Sequence, residues 1–182
     1  MVGLFGTASS GRMLGRVQEA VDVLRQAGHR VQVLYIGPDR HKICSELGDS
    51  DIIADGPFPG EEVSRRLAAM DIYLAAYVDG ISTRRGGLMA ALQHGVATVG
   101  TRGPLTDSLL AQEDGRAFLL ADVAAPEMFS AHVLRLAAET ELRKQIAEEG
   151  TSLYGREFVW PKIVGKMQMA LTDQLVVTGQ GV

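Results

Sequence analysis

Apolar residues in this chain occur as short runs, separated by glycine-rich polar segments and by stretches in which they recur every three or four positions. Val2 to Gly6 is the first run. After the polar loop Thr7-Ala8-Ser9-Ser10-Gly11-Arg12, the residues Leu14, Val17, Val21 and Leu24 fall on one helical face, and Gly28 supplies a stop. Arg30 to Gly37, rich in β-branched residues and closed by Gly37-Pro38, predicts a second strand, with a short helix over Arg40 to Leu47 behind it. Ile52-Ile53-Ala54 is a brief strand, and Pro59-Gly60-Glu61-Glu62 opens a helix over Val63 to Met70 with its acids at the positive end. The same rhythm continues with a strand at Asp71 to Tyr77, a loop at Val78 to Gly87, a helix at Leu88 to His94 and a strand at Val96 to Thr101. Ala117 to Leu120 is the last short strand.

Six strands alternating with helices, several of them apolar without strict alternation, predict a parallel sheet covered on both faces. The expected fold is a three-layer α/β/α, Rossmann-like, doubly wound sheet with a C-terminal helical extension. Pro126 to Leu171 reads as nearly all helical, with a break at Tyr154-Gly155 and a boundary near Pro161. Residues 1–171 are expected to form one domain and residues 172–182 a flexible tail.

Composition narrows the classes. Twenty-one glycines in 182 residues, against a usual share of about 7%, point to tight turns and close backbone approaches. Lys and Arg number 18 and Asp and Glu 22, a net charge of -4, so no global field draws the chain to nucleic acid. Any anion site must be local. A single cysteine, Cys44, excludes an intrachain disulfide and favours a cytoplasmic setting, with peripheral attachment of a full-length protein to a membrane still compatible. No apolar run approaches the ~20 residues of a transmembrane segment.

In a doubly wound sheet, ligands bind where loops leave the carboxyl ends of the strands. The first such loop, Gly6 to Arg12, offers small residues, hydroxyls (Thr7, Ser10), the backbone of Gly11 and one cation beside a helix start, which suits a phosphate. An ordinary glycine-rich turn has the same composition, and neither a G-x-G-x-x-G nor a Walker sequence is present. The loop Asp79-Gly80-Ile81-Ser82-Thr83-Arg84-Arg85-Gly86-Gly87 places two arginines and two glycines ahead of Leu88, at the positive end of a helix. A diphosphate fits there. The alternative is a solvated turn whose arginines pair with surface carboxylates. Gly100-Thr101-Arg102-Gly103-Pro104 is a weaker third candidate that could close over the same ligand.

These residues resemble a known family. VGLFGTASSGR, IIADGPFPGEEVSRRLAAMDIYLAAY, DGISTRRGGLMAALQHGVATVGT and REFVWPKIV together are similar to the C-terminal, nucleotide-sugar-binding half of GT-B glycosyltransferases of family 4. The run DGISTRRGGLMAALQHG is the most specific. The resemblance implies a retaining, metal-independent transferase with a UDP- or GDP-linked sugar as donor and no further cofactor. It also implies an N-terminal GT-B acceptor domain as partner, without which this half is weakly active or inactive.

Carried over by position, the resemblance places Arg12, Arg84 and Arg85 on the leaving diphosphate. Donor contacts are expected at Gly6, Thr7, Ser10, Gly11, Ser82, Thr83, Gly86, Gly87 and Leu88, and base contacts through the backbone at Gly56, Pro57 and Phe58. The departure is that the glutamate pair usual in the family is replaced by Ser82 and Ala90. That keeps open a non-catalytic nucleotide- or anion-binding module on a degenerate GT-B or flavodoxin-like fold.

Other features read as structural. Asp49-Ser50-Asp51 precedes a strand and is a turn, not a metal motif; His94 is a helix-end donor; Cys44 is a small core residue. His29, His41 and His132 belong to surface turns or helices, Glu139 to Glu149 to a solvated helix face. Trp160 is expected to anchor the last helix onto the domain.

Overall fold

The computed structural model describes residues 1–48 and 51–178; Asp49 and Ser50 of the D-x-D turn lie outside it. Its elements are β1 (Val2–Phe5), α1 (Leu14–Gln26), β2 (Val33–Ile36), α2 (Arg40–Leu47), β3 (Ile52–Ile53), α3 (Gly60–Ala68) and β4 (Ile72–Ala75). Then follow α4 (Gly86–Gln93), β5 (Ala97–Arg102), α5 (Ser108–Gln112), β6 (Leu119–Asp122), α6 (Pro126–Ala138), α7 (Thr140–Glu157) and α8 (Trp160–Thr178). The strands form one parallel sheet in the order β3-β2-β1-β4-β5-β6.

Alternate residues of each strand serve different faces, which is why the runs lack polar positions. In β4, Ile72 and Leu74 join the core under α1, α2 and α6, whereas Tyr73 and Ala75 join the core under α3, α4 and α7. The predicted stripe of α1 (Leu14, Val17, Val21, Leu24) is buried in the first of these. The chain order reverses between β1 and β4. There the pairing covers only Val2 with Ile72 and Gly3 with Tyr73, while β1 and β2 pair along four residues. The unpaired ends leave a crevice at the switch point, the place where this class of sheet takes its ligands.

Several boundaries differ from expectation. β2 begins at Val33, and α4 begins at Gly86, so Gly86 and Gly87 join Leu88 in a helix's first turn instead of ending the loop. α5 had no signal in the periodicity. Tyr154 and Gly155 lie inside α7, and the break falls at Phe158-Val159. Packing of Ile146, Gly150 and Leu153 holds that helix through its glycines. α8 continues past Leu171 to Thr178. Trp160 does not anchor it: the indole is 73% exposed. With Pro161 in the first turn, Trp160 opens the helix on the side away from the core.

Candidate functional site

The first loop turns on Gly6, whose φ of 98° is a left-handed value that glycine tolerates. Gly6 N–H donates to Ile36 O (2.9 Å), and Gly6 O accepts from the Tyr35 hydroxyl (2.9 Å). Burial pushes the Tyr35 phenol above its ordinary pKa, so it stays a donor. On its outer side the loop is tied to α2: Ala8 N–H donates to Asp39 Oδ2 (2.7 Å), and Lys42 Nζ donates to Ala8 O (2.8 Å). The loop then returns past the end of β4, with Met13 N–H on Ala76 O and Val78 N–H on Gly11 O, both at 3.0 Å. This return pairs Arg12 with Tyr77.

Arg12 is consequently buried, with 6% of its surface exposed. Its Nη2 donates to Phe5 O (2.7 Å) and to Tyr77 Oη (2.9 Å), and its Cζ stands 5.0 Å from the Tyr77 ring centre. Nε and Nη1 are buried without a hydrogen-bond partner among the described residues. A guanidinium has five N–H donors, and leaving several of them dry is costly unless an anion arrives.

The second loop supplies the opposite wall. Arg85 caps α4, pairs with the Asp79 carboxylate and lies 4.2 Å from the Tyr77 ring centre. Arg84 is exposed and makes no hydrogen bond or ion pair among the described residues. Gly87 has no room for a side chain, since a Cβ would lie 2.4 Å from Tyr73 Oη and 2.9 Å from Phe5 O. That absence lets the start of α4 abut the end of β1. Burial, then the neighbouring Tyr77, push the Tyr73 phenol up, so it too remains protonated.

Phe5, Gly6, Thr7, Ser9, Arg12, Tyr77, Arg84, Arg85, Gly86 and Gly87 thus line one cavity of about 210 Å³. An adjoining hollow of about 350 Å³ shares Arg84 and Arg85 and adds Asp79, Ser82 and Leu105. The third loop packs behind the second, and Leu105, just after it, reaches the second hollow. Gly103 backs directly onto Asp79 and Gly80, Leu105 N–H donates to Asp79 O, and Thr101 Oγ1 brackets Tyr77 through its N–H (2.9 Å) and carbonyl (2.7 Å). Asp107 holds Thr83 N–H at 2.6 Å. This loop braces the second from behind.

No family model matches the sequence, and no curated protein matches it. Solved structures do match in fold. The C-terminal domain of a group 1 glycosyltransferase, LpcC of Francisella tularensis, superposes with a TM-score of 0.68 at 18% identity over 86% of this chain and 85% of that one. Anabaena HepE, solved with UDP and glucose, gives 0.74 at 16% identity over 94% and 48%. Sucrose-phosphate synthase of Thermosynechococcus elongatus gives 0.70 at 14% identity over 97% and 46%. The chain shares the fold of these glycosyltransferases, which in LpcC is that of the C-terminal domain. It spans about half the length of the two longer chains.

Within this domain the expected residues divide. Gly6, Thr7, Arg12, Arg84, Arg85, Gly86 and Gly87 come together at one cavity, and Ser82 lines the hollow beside it. Ser10, Gly11, Thr83 and Leu88 are adjacent in the chain but line neither. Ser9 takes the lining position instead of Ser10. Gly56 (φ 109°), Pro57 and Phe58 follow β3, two strands from β1, and line neither space. There Arg66 covers the Phe58 ring at 3.9 Å and also pairs with Glu62 and Asp55.

Ser82 is buried and Ala90 lies within α4, so no carboxylate stands at the glutamate positions. Asp79 is the acid lining the second hollow, and Arg85 holds it. His94 joins α4 to α3 through Ser64 Oγ and Ala90 O, both at 2.7 Å. No group of three or more His, Cys, Asp or Glu suited to a metal occurs among the described residues, and none of their helices is long and apolar enough to cross a membrane. Tyr77, Lys42 and Asp39 were missed as site residues. Tyr77 had a signal, its place at the carboxyl end of β4; the other two had none.

Proposed function

We propose that this domain binds a nucleoside-diphosphate sugar and holds the diphosphate as it leaves in a retaining, metal-independent glycosyl transfer. The observation that carries the reading is Arg12, a buried cation with two unpartnered nitrogens at a cavity on the switch point. Arg84, unpaired and bordering both spaces, supplies a second positive charge that can move onto the ligand. Arg85, held by Asp79 and Tyr77, adds a fixed field. During transfer the bond from the sugar C1 to the phosphate oxygen breaks, its electron pair passes to the diphosphate, and the acceptor hydroxyl bonds to C1 as its proton passes to an oxygen of the departing diphosphate. Cations set in advance around that oxygen lower the barrier without needing a metal. The first turn of α4, with Gly86 and Gly87, adds backbone N–H groups and a positive helix end.

HepE, which shares the fold, was solved with UDP and with UDP-glucose, which favours UDP over GDP as the first nucleotide to test. An N-terminal domain, the acceptor side in this reading, would complete the cleft. The base is assigned to the backbone at Gly56 to Phe58, and the setting is cytoplasmic. A second reading, binding without transfer, is favoured by Ser82 and Ala90, which leave the ribose without a carboxylate partner.

Calorimetric titration with UDP, GDP and ADP tests the proposal, repeated on Arg12→Ala and Arg84→Ala. Binding of one nucleotide in the micromolar to millimolar range, weakened on the order of tenfold or more by each substitution, is expected. Absence of binding by all three removes the donor reading. Binding without sugar release or transfer in the full-length protein selects the second reading.

A further inference from the structure

We infer that Tyr77 is the positioning residue that holds the two anion-binding loops in register, by fixing Arg12 with its hydroxyl and both Arg12 and Arg85 with its ring. This rests on the reading of the cavity as a diphosphate site. Two guanidiniums, 5.0 and 4.2 Å from one ring centre, come from loops that are distant in sequence. Like charges gathered at one ring repel each other. The π-face attracts both cations, and the hydroxyl gives Arg12 Nη2 one of its two acceptors.

Tyr77 can act this way because it is itself immobile. Its backbone is bracketed by Thr101 Oγ1 and paired with Arg12, and its side chain is 4% exposed beside the fully buried Tyr73. Arginine side chains carry large rotamer freedom. Here one side chain, with Phe5 O on Arg12 and the Asp79 carboxylate on Arg85, restricts two of them, leaving Arg84 as the cation able to follow the ligand. The competing explanation, that Tyr77 only fills space, predicts that phenylalanine would serve equally well.

The test compares wild type, Tyr77→Phe and Tyr77→Leu by titration with inorganic pyrophosphate and with UDP, alongside the guanidinium ¹⁵N–¹H NMR resonances. Tyr77→Phe keeps the ring and the volume, and folding is verified by thermal unfolding. The expected result is that Tyr77→Phe weakens both probes by the same factor, on the order of tenfold, from loss of a hydrogen bond to a charged group. Tyr77→Leu should weaken them further and abolish the ring-current shifts of Arg12 and Arg85, which Tyr77→Phe retains. Tyr77→Phe binding both probes within twofold of wild type overturns the inference while leaving the diphosphate reading intact. A loss for UDP with none for pyrophosphate also overturns it, since the arginines face the part common to both. If wild type binds neither pyrophosphate nor any nucleotide, the diphosphate reading fails and this inference falls with it.

Discussion

Gly86 and Gly87 are adjacent in sequence and begin the same helix, yet an added methyl group should act oppositely at the two. At Gly86 a Cβ meets nothing within 4 Å, and the backbone is not in a left-handed conformation. Alanine there removes unfolded-state freedom and favours the helix, so Gly86→Ala should stabilise by up to about 0.5 kcal/mol, less than mid-helix because the position is in the first turn. At Gly87 the Cβ would stand 2.4 Å from Tyr73 Oη and 2.9 Å from Phe5 O, where ordinary contact begins at 3.4 Å. Relief requires the phenol to retreat by about 1 Å inside a fully buried core and the end of β1 to shift by roughly half that, a strain of about 1–3 kcal/mol. For a domain of this size, 2 kcal/mol lowers the melting temperature by roughly 4–8 °C, and 0.5 kcal/mol raises it by about 1–2 °C. Phe5 O also accepts from Arg12 Nη2, so Gly87→Ala should weaken nucleotide binding as well. Thermal unfolding by circular dichroism reads both variants. A melting temperature for Gly87→Ala within 1 °C of wild type, or a fall for Gly86→Ala as large as that for Gly87→Ala, would refute the packing argument.

Arg12→Met removes a buried cation with two unpartnered nitrogens, so the ligand-free protein should keep its stability to within about 1 kcal/mol or gain slightly; its melting temperature should no longer rise with added UDP. Gly103→Ala drives a Cβ to within 2.6–2.8 Å of the Asp79 and Gly80 backbone, and should lower the unfolding free energy measured by urea denaturation by about 1–3 kcal/mol while loosening the Asp79–Arg85 pair. Trp160→Ser should leave the melting temperature nearly unchanged, and iodide should quench the native tryptophan as an exposed indole. Lys166 Nζ hydrogen-bonds Glu157 (2.6 Å) and holds its pKa below the ordinary value. A depressed carboxylate contributes stability above its unfolded pKa and loses it as pH falls through the folded one; Lys166→Ala should move the Glu157 titration upward by carboxyl ¹³C NMR and flatten that acid-side dependence.

What the sequence made legible follows from periodicity and glycine. The α1 stripe is buried as spaced, α2 runs from Arg40 to Leu47 as read, and the apolar strands alternate between two helical layers. Periodicity also misleads, because it reports an apolar face and not what covers it. Trp160, Val164, Met167 and Leu171 recur at helical spacing along α8, and all are exposed. Gly155 looked like a break, yet the contacts of Gly150, where a Cβ would sit 3.0 Å from Leu92, show that α7 tolerates glycine to pack close to α4. α5 has five residues and one buried side chain, too little for any period to register.

The site shows where such reading stops. Arg84 and Arg85 are indistinguishable as residues, and their roles separate only because α4 begins one residue beyond the second of them. As the residue capping the helix, Arg85 turns back over Tyr77 to Asp79, six positions earlier, while Arg84 faces outward with no partner among the described residues. Arg12 looks from sequence like a loop cation in water; its burial comes from the backbone bridge to Tyr77, a residue 65 positions away. Which cation is fixed and which is free is therefore a property of one helix start and one backbone bridge. A substitution that moved the start of α4, such as Arg85→Pro, would be expected to disturb the division of labour even with the charge of Arg84 retained.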